Sequence, residues 1–244
     1  MTIGFFDSGI GGFHVMERVM QRMPQYSYVF YGDTKHLPYG DKKEEEIYQL
    51  TRNAVWYLFS AHNAQVVVLA CNTASAETLK RLQDDFLKTR YPGRRVLGVI
   101  IPTIEAVVQT GHKKPLLIAT TRTIASGKYE RELAKYDPSI VLKVEATPHL
   151  VPLIEAGKLD EAVESLDELL NGHKALGGDS LILGCTHYGL LTDKLRAQHG
   201  DALHIVNQAE IIPDRLQDYL ERHPEIETLL SKKGEREVIW SGGV

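Results

Sequence analysis

Cysteine is scarce in this chain, two in 244 residues, too few for the disulfide framework that staples small secreted domains. Charge of one sign is scarce as well. The formal net charge is −4, no basic stripe of the kind that follows a phosphate backbone stands out, and nucleic acid is not an expected partner. The short charged clusters, Lys42 to Glu46 and Arg94/Arg95, read as solvated helix ends or loops. Nothing approaches the ~18 uninterrupted apolar residues of a membrane span. The N-terminus runs from Met1 into a short apolar strand and Asp7 with no basic leader or long apolar stretch. A soluble, cytoplasmic protein without a membrane partner is expected. Closely spaced Cys/His pairs are also missing, which argues against a structural zinc site and leaves no expected metal.

What the chain does contain is enough apolar material for a sizeable core, 43% of residues, at a length that fits one large or two small domains. Short aliphatic runs alternate with helix-period segments throughout, the pattern of βαβ units around parallel sheets. Strands are expected at Ile3–Phe6, Tyr28–Tyr31, Gln65–Ala70, Arg95–Val99, Pro115–Ala119, Val141–Glu145, Ser180–Leu183, His204–Val206 and Glu237–Trp240. The most prominent helices are expected over Glu44–His62, Ala74–Lys88, Ile124–Lys135, Pro152–Asn171 and Ile211–Arg222. The fold class is α/β with two similar parallel-sheet domains. Residues 1–97 with 208–244 would form one, made discontinuous by the return of the chain, and residues 98–207 the other.

The two cysteines stand 114 positions apart, at 71 and 185, in matching settings. Val66-Val67-Val68-Leu69-Ala70-Cys71-Asn72-Thr73 and Leu181-Ile182-Leu183-Gly184-Cys185-Thr186-His187 each put the thiol just past the carboxyl end of a buried strand. The same offset carries Asp7 to Thr121 and Asp33 to Thr147, two other strand ends. That register supports two similar halves. Ligands of open α/β sheets bind beyond those strand ends, so the thiols would face one small substrate from opposite sides. For a single cysteine the plainer reading is a small buried hydrophobe; the matched contexts favour function for the pair.

Around the thiols lie further candidates. Asp7-Ser8-Gly9-Ile10-Gly11-Gly12 follows the first strand as a glycine-rich turn that would bring backbone N–H groups to a carboxylate; it has neither the P-loop nor the dinucleotide-binding spacing. Asp33, Thr34 and the Pro38-Tyr39-Gly40 turn follow the second strand. Asn72, Thr73 and Ser75 would cap a helix whose N-terminal dipole lowers the pKa of Cys71, and Thr186 and His187 follow Cys185 in the same way. Metal binding fails on spacing. A Cys–His hydrolase leaves the second cysteine without a task. Two-base proton transfer, removing a proton from one face of a carbon and returning one to the other, explains the symmetry. It would use Asp7 beside one thiol and His187 beside the other, with donors at Ser8, Asn72, Thr73 and Thr186 stabilising the carbanion-like transition state.

The four ordered motifs, Asp7 to Gly12, Pro38 to Gly40, Ala70 to Ser75 and Leu183 to Tyr188, closely resemble those of bacterial glutamate racemase. The resemblance implies two flavodoxin-like domains with the active site between them, no cofactor, and interconversion of L- and D-glutamate to supply D-glutamate for peptidoglycan. On that pattern Cys71 exchanges the proton with D-glutamate, assisted by Asp7, and Cys185 with L-glutamate, assisted by His187 and by Glu155. Ser8, Pro38, Tyr39, Gly40, Asn72, Thr73 and Thr186 match substrate-holding positions, joined by Thr120 or, in the register adopted here, Thr121. The family commonly has proline where Gly189 stands and an Asp-Ser pair near Asn207-Gln208. Dimers are common in the family. Aspartate racemases share the paired-cysteine architecture and are the nearest alternative; a non-catalytic binding relative, such as a gyrase inhibitor, is a second. No lysine site for pyridoxal phosphate is evident.

Overall fold

The computed structural model describes residues 1–243. Among the described residues nine strands form two sheets, all pairs parallel. The strands are β1 (Thr2–Asp7), β2 (Tyr28–Gly32), β3 (Ala64–Leu69), β4 (Arg95–Gly98), β5 (Pro115–Ala119), β6 (Lys143–Ala146), β7 (Ser180–Gly184), β8 (His204–Val206) and β9 (Arg236–Trp240). One sheet has the order β4-β3-β1-β2-β9 and the other β6-β5-β7-β8. Read in the opposite direction, the second is β8-β7-β5-β6, the order of the first four strands of the other sheet. The 114-residue offset is therefore a repeat of topology, with β3 matching β7 and β1 matching β5.

The continuous burial of β1, β3, β5 and β7 explains their composition. Parallel strands with helices on both faces are buried on both faces and read as unbroken aliphatic runs. Successive side chains alternate between two cores. Phe5, Phe30, Val66 and Val68 face one layer and Phe6, Val29, Val67 and Leu69 the other. In the second sheet Leu116, Ile118, Leu181 and Leu183 oppose Leu117, Ala119 and Ile182 in the same way.

The helices depart from expectation in instructive ways. α1 (Gly11–Arg22) begins inside the glycine run. α2 (Glu44–Ser60) has three glutamates in its first turn, favourable at the positive end of the helix dipole, and buries Ile47, Thr51, Ala54, Val55 and Leu58 along one stripe. α3 (Asn72–Arg81) continues through a π-helical turn, Leu82–Leu87, to Arg90. α4 (Ile100–Thr110) links the sheets. The single helix expected over 124–135 is two, α5 (Thr121–Ala125) and α6 (Lys128–Tyr136), parted at Gly127. The long one expected over 152–171 is three, α7 (Leu150–Glu155), α8 (Leu159–Glu164) and α9 (Asp167–Ala175). Gly127 and Gly157 sit at φ 58° and 73°, left-handed conformations that stop a helix and that glycine adopts freely. α10 (Thr192–His199) precedes β8, and α11 (Gln208–Arg222) carries the chain back, packing Ile212, Leu216 and Leu220 into the core of the five-stranded sheet. No helix among the described residues is long and apolar enough to cross a membrane.

Candidate active site

The carboxyl ends of β1, β3, β5 and β7 converge on a cavity of about 510 Å³. Ser8, Cys71, Thr120 and Cys185, each the first or second residue beyond one of these strands, all line it. Such crevices outside the strand ends are where open α/β sheets bind ligands. Both thiols are free and almost wholly buried, with 5% and 8% of their surface exposed.

Cys71 is the N-cap of α3. Its sulfur accepts from the Ala74 amide at 3.4 Å and lies 3.5 Å from Ser8 Oγ. These contacts favour the thiolate, as the sequence led us to expect, but they do not win. Burial, reinforced by the negative charge of Asp7, pushes the Cys71 pKa up to about 12. At neutral pH Cys71 is a protonated thiol.

Cys185 is differently supported. It is extended, at φ −145°, and is followed by a 3-10 turn, Thr186–Leu191, none of whose backbone amides caps onto the thiol. What it has instead is a histidine. His187 Nδ1 lies 3.8 Å from the Cys185 sulfur, and Nε2 lies 2.5 Å from Glu155 Oε1 at the end of α7. Burial opposes protonation of this ring, yet its bonds to the Cys185 sulfur and the Glu155 carboxylate outweigh burial and raise its pKa to about 10. His187 is thus an imidazolium held between a sulfur and a carboxylate.

Among the described residues no hydrogen bond joins Asp7 to Cys71, whose sulfur is met by Ser8 Oγ and the Ala74 amide. The Asp7 carboxylate accepts from the Gly9 amide at 2.8 Å and from Thr186 Oγ1 at 2.9 Å, joining the two sheets. Complete burial raises its pKa above the ordinary carboxylate value, opposed by the nearby His187 charge. The glycine run beside it lies away from the cavity lining and serves close packing. A side chain at Gly11 would overlap the backbone of His187, and one at Gly12 would overlap the Asp7 carboxyl group.

Pro38, Tyr39, Gly40, Asn72, Thr73 and Thr186 line the cavity. Tyr39 is fixed by donating to Asp33 Oδ2 at 2.6 Å, and Asp33 also accepts from Ser241 Oγ at 2.6 Å. The hydroxyl of Thr73 lies 3.0 Å from that of Thr120 and 3.2 Å from that of Thr123, a cluster spanning the two sheets. The threonine of the second sheet in the cavity is Thr120, not Thr121. Thr120 follows β5 directly and caps α5, whereas Thr121 is the first helical residue and is exposed. Sequence reasoning missed the wall formed by Leu37, Pro148, Val151 and Pro152. Val151 and Pro152 stand in the segment that contains Glu155, so proximity to that carboxylate was the available signal.

The model of the Asp/Glu/hydantoin racemase family matches residues 13–211. A glutamate racemase of Ruegeria pomeroyi is 38% identical over 238 residues, covering 92% of this chain and 87% of that protein. Among solved structures, glutamate racemase isoform RacE1 of Bacillus anthracis superposes with a TM-score of 0.82 at 29% identity, covering 98% of this chain and 87% of that one. The glutamate racemase of Aquifex pyrophilus superposes at 0.76 with 31% identity, covering 99% and 89%. The chain belongs to the Asp/Glu/hydantoin racemase family.

Proposed function

We propose that this cleft inverts the α-carbon of glutamate by proton transfer between two thiols. The protein is an isomerase, a glutamate racemase, and its product D-glutamate serves peptidoglycan synthesis. The observation that carries the two-thiol mechanism is the placement of two free cysteines at topologically equivalent strand ends on one cavity. Domains of residues 1–97 with 208–244 and of 98–207 would each contribute one thiol, and the cytoplasm, where thiols stay reduced, suits both.

In this reading Cys185, beside imidazolium His187, is the base that takes the α-proton of L-glutamate. Cys71, protonated, gives its proton to the opposite face of the carbanion, so one C–H bond breaks as another forms and the configuration inverts. For D-glutamate the roles exchange. Glu155 holds the charge on His187, and Asp7 aligns Thr186 at the cavity wall. Ser8, Asn72, Thr73 and Thr120, with the backbone N–H of Thr186, supply donors for the substrate carboxylates, where charge develops in the transition state.

The test is incubation with L-glutamate, and separately L-aspartate, in deuterated water without added cofactor. Inversion of glutamate with solvent deuterium at the α-carbon is expected, and Cys71→Ser and Cys185→Ser should each lower kcat by at least about 10²-fold, since a serine hydroxyl is a far weaker acid than a thiol. Inversion of aspartate alone would move the substrate assignment; full activity in either serine variant would sink the two-thiol mechanism.

A further inference from the structure

Gln208 is buried, and its side chain ends in a hydrogen-bond network around Asn72. Asn72 follows Cys71 and lines the cavity. The two carboxamides form a reciprocal pair: Asn72 Nδ2 donates to Gln208 Oε1 at 2.8 Å, and Gln208 Nε2 donates to Asn72 Oδ1 at 2.8 Å.

Which end of each amide is nitrogen is decided by a third residue. Thr103 Oγ1 donates its only hydrogen to the Val99 carbonyl at 2.7 Å, so towards Gln208, 3.2 Å away, it can only accept. That turns the N–H end of Gln208 towards Thr103, and the reciprocal pair then orients Asn72. Tyr129 closes the ring by donating to Asn72 Oδ1 at 2.7 Å, and its oxygen, 3.2 Å from Gln208 Nε2, shares with Thr103 the hydrogen that Gln208 does not give to Asn72. The Asn72 nitrogen carries two hydrogens. One goes to Gln208, and among the described residues the second has no protein acceptor.

We propose that Gln208 is a positioning residue. With Thr103 and Tyr129 it locks the Asn72 carboxamide so that its remaining N–H is offered to a carboxylate oxygen of the substrate in the cavity. The inference rests on the reading that the cavity takes glutamate. The four residues come from four separate parts of the chain. Asn72 opens α3 beside the five-stranded sheet, Thr103 lies on the connecting helix α4, Tyr129 lies on α6 beside the four-stranded sheet, and Gln208 opens the returning helix α11. The direction of one donor in the cavity is thus tied to the relative placement of both sheets.

The experiment measures racemisation in both directions, together with calorimetric binding of D-glutamate, for the wild type, Gln208→Ala, Tyr129→Phe and the double variant. Loss of an oriented hydrogen bond to a charged oxygen predicts a rise of about tenfold in KM and in Kd for Gln208→Ala, with kcat changed about threefold or less. Tyr129→Phe, which preserves the core volume, should raise both about three- to fivefold, and the double variant should fall short of the product of the two because both act through Asn72. A purely structural Gln208 would lower the melting temperature and leave KM and Kd within about twofold of the wild type, and that result would overturn the proposal. Should Gln208→Ala not fold, unchanged KM and Kd in Tyr129→Phe would do the same. A wild type that does not racemise glutamate would overturn the functional reading instead.

Discussion

His187 is the residue through which the chemistry of this site is most readily read out. Its pKa, raised to about 10, depends on the bonds to Cys185 and Glu155 prevailing over burial, so weakening one partner should be visible in a pH profile. Glu155→Gln keeps a hydrogen-bonding side chain at 2.5 Å from Nε2 but removes the charge. The alkaline limb of kcat/KM for L-glutamate should move to lower pH, and kcat/KM above pH 8 should fall about tenfold, the cost of replacing a charged hydrogen bond by a neutral one. An unshifted profile would show that Glu155 does not support the imidazolium. Cys71 calls for a different measurement. With its pKa pushed up to about 12 by burial and the charge of Asp7, it rests protonated, able to give a proton but unable to take one until it has lost its own. The first turnover of L-glutamate should therefore outpace that of D-glutamate in single-turnover mixing near neutral pH, and equal rates would contradict the assignment.

At the scale of elements, the site depends on how closely α1 approaches the turn after β7. That approach is possible because Gly11 and Gly12 present no side chain to His187 and Asp7. Alanine is intrinsically favoured over glycine inside a helix by about 1 kcal/mol, so on propensity alone Gly12→Ala would stabilise the protein. The added methyl would overlap the buried Asp7 carboxyl group, and overpacking of that kind costs about 1–3 kcal/mol. With the added methyl only 2.4 Å from Asp7 Cβ, the overlap wins: a net loss of up to about 2 kcal/mol is expected from urea midpoints, with activity falling further than stability because Asp7 must move. The end of α7 makes a related point. Gly157 stops the helix two residues after Glu155, which places that carboxylate at the cavity rim within reach of His187.

The whole molecule is a pair of like halves joined by polar contacts at the cleft. Thr186 donates to Asp7, Thr73 meets Thr120 and Thr123, and Arg122 Nε lies 2.8 Å from Glu77 Oε1, all crossing from one half to the other. The protonated His187 ties global stability to pH through the same cleft. Its folded pKa lies above the value of 6.5 expected when unfolded, so its contribution is complete below about 6.5 and is lost as pH rises through about 10. The stability gap between the wild type and Glu155→Gln, measured by urea unfolding from pH 6 to 10, should narrow toward the alkaline end. A constant gap would mean that the pair with Glu155 contributes nothing to folding. Glutamate bound only to the folded state should add about 2.7 kcal/mol at a hundred times its Kd.

Much of this architecture was legible because it rests on local signals. Buried parallel strands are aliphatic on both faces, so β1, β3, β5 and β7 could be placed from residue type alone, and the matched settings of Cys71 and Cys185 marked the repeat in the sequence itself. The helices were placed less well where backbone conformation, rather than apolar periodicity, set their ends, as at Gly127 and Gly157. Only the tertiary structure decided the electrostatics. The helix N-terminus beside Cys71 is a local feature that lowers a thiol pKa, but desolvation depends on everything packed around the sulfur, and it reverses the sign. The two thiols alike in sequence are therefore unlike in the fold, one capping a helix and the other paired with a histidine. The place of Thr120 in the cavity and of Gln208 behind Asn72 likewise depends on packing against residues distant in the chain. Sequence determined which groups stand at the strand ends; packing determined their protonation and their direction, because both depend on neighbours that the linear order does not bring together.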